Sequence, residues 1–165
     1  MVAPVLVFAV GNESRGDDAL GPLLLSELDT WLTASKSAEQ FELLEDFQLQ
    51  IEHALDMKDR RLVLFVDAGI DTHAPFSFYR AQLNNERILY SHALVPEALL
   101  KVYEQFYNEL PPDAFILCIR GEQFELGKDI SKQAEDHLAD ALEFSKTLLI
   151  KPDAAAWELK LHCPA

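Results

Sequence analysis

The sequence predicts an α/β fold: a three-layer α/β/α sandwich around a mainly parallel, twisted sheet of about five strands. Short runs that are apolar throughout alternate with segments whose apolar residues recur at three- and four-residue spacing. The runs are continuously apolar rather than alternating, as expected of strands covered on both faces. The chain has 165 residues, 49% hydrophobic and 25% charged, which suits one domain able to bury a sizeable core with no need of disulfides.

In chain order, Val5-Leu6-Val7-Phe8-Ala9-Val10 reads as a buried parallel strand that stops at Gly11. Leu20, Leu23, Leu24, Leu28 and Leu32 then mark an amphipathic helix from about Asp18 to Leu32. Phe41 to Asp46 is a short second strand, and Gln48 to Met57 a second helix with Leu49, Glu52 and His53 near one face. Leu62-Val63-Leu64-Phe65-Val66 is the clearest buried strand, closed by Asp67-Ala68-Gly69. Phe76 to Leu83 alternates in part, as a strand near the sheet edge does. A helix over 96–107 places Leu99, Leu100, Tyr103 and Phe106 on one face, and Pro111-Pro112 breaks the chain after it. Ala114 to Ile119 is another buried strand, and Ser131 to Leu149 a long helix. Residues 1–150 are expected to form the single domain, with 151–165 a tail of unassigned structure that Trp157 anchors in part.

Composition excludes several function classes. The formal charge is −14, so a phosphate polymer is repelled and nucleic acid is not expected as a partner. No apolar run reaches the roughly 20 residues that span a bilayer, and no signal-peptide pattern opens the chain. Cys118 and Cys163 form no CxxC pair, which argues against a thiolate zinc site and fits a reducing compartment. A cytoplasmic, membrane-free protein is the expectation.

Ligands of open α/β sheets bind at the carboxyl ends of the strands. That rule selects Asp17 and Asp18 after the first strand, Asp67 at the end of the third, and Ser91-His92 beyond the fourth. Asp17 reads as a helix N-cap. Asp18 suits either the positive end of the helix or a ligand role. Asp67, a charge directly after five apolar residues, needs a partner or solvent. His53, His73, His137 and His162 read as ordinary histidines, His53 the least clearly so. The loop has neither GxGxxG spacing nor a Walker lysine, and Glu13, Asp17 and Asp18 crowd the place a pyrophosphate would take. A cation matches it better. Two carboxylates and an imidazole suit nickel, zinc, manganese or iron(II), with open positions for water or for groups of another molecule.

These residues carry a family likeness. Gly11-Asn12, four residues, Asp17-Asp18, two residues and Gly21 resemble the opening motif of the nickel–iron hydrogenase maturation proteases. Asp67 at the end of strand three and Ser91-His92-Ala93-Leu94 before a helix match two further positions, and the resemblance spans residues 5 to about 148. It implies Asp18, Asp67 and His92 as metal ligands. It implies an endopeptidase that removes the C-terminal extension of a hydrogenase large-subunit precursor; with another protein as its only large substrate, a monomer is the expectation. Nickel carried by the precursor would be the recognition element, with other divalent metals open. There are departures. The Asp-Gly-Gly stretch common after strand two is replaced by Asp46-Phe47-Gln48-Leu49, so Asp46 is a catalytic candidate whose loop must be shaped differently. Asp18 stands where Glu is commoner, one methylene shorter. Gly121 to Gly127 resembles a loop that some members have after the last strand. The alternatives are an accessory module that binds metal or precursor without cutting, and a hydrolase of other substrates with a resident metal.

Overall fold

The computed structural model describes residues 1–83 and 94–162. Five strands form one sheet in the order β2-β1-β3-β5-β4, where β1 is Val5–Val10, β2 Phe41–Asp46, β3 Leu62–Gly69, β4 Phe76–Arg80 and β5 Asp113–Arg120. The first four in that order are parallel, and β4 pairs antiparallel with β5 at the edge. The α/β sandwich expected from the sequence is the fold observed.

Alternate residues of each strand serve different cores. Val5, Val7 and Ala9 of β1, with Leu64 and Val66 of β3, face the helices α1 (Leu20–Ser35) and α3 (Lys132–Ile150). Leu6, Phe8, Val63 and Phe65 face the other layer, where α2 (Pro96–Tyr107) packs against a 3-10 helix at Ile51–Met57. Both faces are covered, which is why these strands read as unbroken apolar runs. The boundaries of α2 follow from Pro96 at its first position and Asn108 in the left-handed conformation at its end.

Three elements differ from expectation. The first helix begins as a 3-10 turn, Gly16–Ala19, before α1 proper. The segment expected as a second helix forms only the 3-10 helix at Ile51–Met57, opened by a reciprocal cap between Gln50 and His53. The edge strand stops at Arg80 rather than Leu83. The described part of the tail, residues 151–162, is folded: α4 (Ala154–Glu158) buries Trp157 completely, and His162 exchanges backbone hydrogen bonds with Phe78 on the open side of β4. Among the described residues no helix is long and apolar enough to cross a membrane.

The chain leaves β1 toward β2 on one side, and β3 lies on the other. The carboxyl ends of β1 and β3 therefore flank a switch point, where crevices open in doubly wound sheets.

Candidate functional site

The loop after β1 is drawn tightly over that crevice. The Gly11 amide donates to the Asp46 carbonyl at 3.1 Å, tying the ends of β1 and β2 together. A Cβ on Gly11 would lie 2.0 Å from the Asp18 carbonyl oxygen, so only glycine lets the loop close on the 3-10 turn. A Cβ on Gly21 would lie 2.6 Å from the Val10 carbonyl oxygen and 3.1 Å from that of Val66. The start of α1 thus rests on the ends of β1 and β3 without a side chain between. Asn12 accepts the Ser14 amide on its Oδ1 at 2.9 Å, and its own amide donates to Asp18 Oδ2 at 2.9 Å.

Asp17 does not cap the helix. No side-chain hydrogen bond caps either the 3-10 turn or α1. Asp17 is instead fully buried and accepts from the amides of Glu122, Gln123 and Ser131 and from the Ser131 hydroxyl, at 2.6 to 2.9 Å. Burial pushes its carboxyl upward, but hydrogen bonds from Ser131, Glu122 and Gln123 outweigh it and hold the group below the ordinary value. The carboxylate is a clamp between the first loop and the 121–131 segment, of which the sequence marked only Gly121 to Gly127, as a loop resembling one found in some family members.

Asp18 and Asp67 share a cavity of about 390 Å³ with Val10, Phe47, Gln48, Ala68, Ile70 and Phe124. Asp67 lies within β3, opposite Cys118 of β5, and its Oδ1 accepts the Ala68 amide at 2.7 Å. Burial pushes the Asp67 carboxyl up to about 7; the Asp18 charge adds to the rise, and the Ala68 hydrogen bond opposes it. Burial and the Asp67 charge likewise push the Cys118 thiol up to about 11, so it is no thiolate nucleophile at neutral pH. Two carboxylates of this kind, one oriented by the Asn12 amide and one able to shed its proton on meeting a cation, are suitable oxygen donors. His92, the third expected ligand, lies outside the described residues. Among the described residues no group of three or more His, Cys, Asp or Glu stands ready to hold a metal.

Asp46 lines the adjoining cavity of about 420 Å³, with Gly11, Asn12, Glu13, Ser14, Pro22, Glu45 and Phe47. The exposed Phe47 ring borders both cavities. Asp46 Oδ1 accepts the Phe47 amide at 2.7 Å, and Oδ2 lies 3.1 Å from His53 Nε2. This contact was not legible in the sequence, where His53 read as ordinary, though the least clearly so; its signal was a position near one face of the second helical segment.

No family model matches the chain, and no curated protein matches it in sequence. Solved structures do match. The NiFe hydrogenase maturation protease HycI of Thermococcus kodakarensis KOD1 superposes with a TM-score of 0.69 at 17% identity, over 90% of this chain and 94% of that one. The chain has the fold of the hydrogenase maturation proteases. HybD, the hydrogenase maturating endopeptidase of E. coli, gives 0.68 at 22% identity over 90% of this chain and 93% of that one. The maturation protease HybD of Thermococcus kodakarensis gives 0.62 at 20% identity over 88% and 98%. The likeness covers nearly all of each protein, so the maturation-protease fold is present here in full.

Proposed function

We propose that this chain is an endopeptidase that removes the C-terminal extension of a NiFe hydrogenase large-subunit precursor. Nickel carried by that precursor is its recognition element. The observation that carries this reading is the pairing of Asp18 and Asp67 in one cavity at the β1–β3 switch point, within a fold shared with maturation proteases over about 90% of the chain. Asp18, Asp67 and His92 supply two oxygen donors and one nitrogen donor to the precursor's nickel. Docking is thereby conditional on metal insertion. Asp46 stands one cavity away, on the far side of Phe47. There it takes the proton of the water that adds to the scissile carbonyl, and that proton passes to the departing amine.

The test incubates the protein with nickel-loaded and nickel-free large-subunit precursor and follows precursor mass. Cleavage of the loaded form alone, reduced by at least about 100-fold in Asp18→Ala, is the expected result. Equal cleavage of both forms would remove the gating. A stable complex with unchanged precursor mass would identify an accessory module. A metal retained by the purified protein, with turnover of unrelated peptides, would identify a hydrolase of other substrates.

A further inference from the structure

The geometry points to His53 as the positioning residue for Asp46. Both ring nitrogens of His53 are committed. The Gln50 amide donates to Nδ1 at 2.8 Å, so Nδ1 carries no proton and the ring's proton sits on Nε2. Nε2–H then points at Asp46 Oδ2, 3.1 Å away. Phe8 meets the imidazole edge-on, with centroids 4.6 Å apart, and the side chain is 12% exposed, so the ring has little room to rotate. A histidine with both nitrogens engaged is not itself available as a base. It holds its neighbour, as the third member of a nucleophile–base–orienter set does.

That neighbour is fixed at two points. The Phe47 amide holds Oδ1 and the His53 imidazole holds Oδ2, while the carboxylate stays 40% exposed beside its cavity. Each oxygen keeps further lone pairs for a water or substrate proton. Asp46 ends β2 and would otherwise swing with the following loop, where Phe47 is 71% exposed. The Gln50–His53 cap that starts the 3-10 helix therefore serves two purposes: it begins the helix and it aims the carboxylate.

Two substitutions separate those purposes. His53→Asn keeps an acceptor for the Gln50 amide but loses the donor to Asp46. His53→Gln places its amide nitrogen near the position of Nε2 and keeps that donor. For activity the inference rests on the precursor-processing reading. His53→Asn is expected to lower kcat for nickel-loaded precursor by about 10- to 100-fold with KM nearly unchanged, the usual penalty for losing a partner that orients an active group. His53→Gln is expected to recover most of that loss. His53→Asn as active as wild type, or more active than His53→Gln, overturns the inference. Nitrogen-15 NMR of the imidazole reads the pair whether or not any precursor is cut. The Nε2–H tautomer is expected, with an Nε2 resonance that moves in Asp46→Asn. An Nδ1–H tautomer, or a ring indifferent to Asp46→Asn, overturns the inference independently of the proposed protease function.

Discussion

Asp67 illustrates how one side chain can oppose folding and still be kept. It stands on a strand whose five preceding residues are buried, with the Ala68 amide as its hydrogen-bond donor among the described residues and Asp18 nearby. Burial is the main reason its carboxyl is raised from 3.8 to about 7. An acid raised in this way binds more protons folded than unfolded between those two values. Stability therefore falls as pH rises through that window, and above it the full penalty is present. A tenfold change in an ionisation constant corresponds to about 1.4 kcal/mol, so the charged group opposes folding by on the order of 4 kcal/mol at most. Asp67→Asn keeps an oxygen for the Ala68 amide and removes the charge. It should raise the urea midpoint at pH 8 and change it little at pH 4, when both are measured by circular dichroism. A variant no more stable than wild type at pH 8 would contradict the assigned burial. Such a penalty is what a residue held for a ligand rather than for the fold would show. Asp67 was legible in the sequence because a lone charge closing an apolar run has few structural explanations. The clamp role of Asp17 was not, because a carboxylate ahead of a helix has an easy local explanation, whereas its true partners lie more than a hundred residues away.

At the scale of elements, the start of α1 is held by two unlike devices. Glycines at positions 11 and 21 let backbone approach backbone. Asp17 reaches across to the β5–α3 connection, where Ser131 both bonds Asp17 and caps α3 through the Ala134 amide. Removing the Asp17 charge should therefore loosen two helix starts together. Asp17→Asn presents an amide NH2 to at least one of the donors now facing an oxygen, and each unsatisfied buried group costs about 1–3 kcal/mol. A loss of about 3 kcal/mol in unfolding free energy is expected at pH 7. Hydrogen-exchange protection should fall at Glu122, Gln123 and Ser131 together. Because hydrogen bonding depresses this carboxyl's folded value, its contribution is full above the ordinary value of 3.8 and is lost as pH falls through the lower folded value. The wild-type advantage should accordingly shrink in strong acid. Unchanged protection at those amides would show that the clamp is dispensable. Long-range clamps leave no periodic trace, whereas α2 was legible to the residue because its proline start and apolar spacing are local. The stretch expected as a helix from Gln48 failed for a third reason: Phe47, Ile51 and Leu55 are all exposed, so it offers no full apolar face to propagate an α-helix.

Across the whole molecule, a mainly parallel sheet covered on both faces followed from the alternation of apolar runs and amphipathic segments, since parallel pairing buries both faces of every central strand; the strand order, and with it the switch point, came from the structure. What did not follow was the closure of the sheet edge. The antiparallel β4 leaves one side of the sheet open, and residues 154–162 close it. Trp157 is wholly buried, its Nε1–H donates to the Leu148 carbonyl at 2.9 Å, and its ring meets Phe78 and Phe115 at steep angles. His162 then pairs with Phe78 along the outer side of β4. The sequence carried one sign of this, a lone tryptophan in a short segment without clear periodicity. A tail that only decorated the surface would be removable at little loss. A tail that completes the core would not: truncating a buried tryptophan typically costs about 3–5 kcal/mol through lost burial and the cavity left behind. Trp157→Ala should lower the unfolding free energy by that amount. Leu159→Ala, at a 90% exposed side chain two residues on, should stay within about 0.5 kcal/mol of wild type. Loss of the Trp157 anchor also frees the outer side of β4 to pair with other chains, so Trp157→Ala should show concentration-dependent association by light scattering before it unfolds. If Trp157→Ala instead matches Leu159→Ala in stability and stays dispersed, the C-terminal segment is an appendage and the sheet is closed by other means.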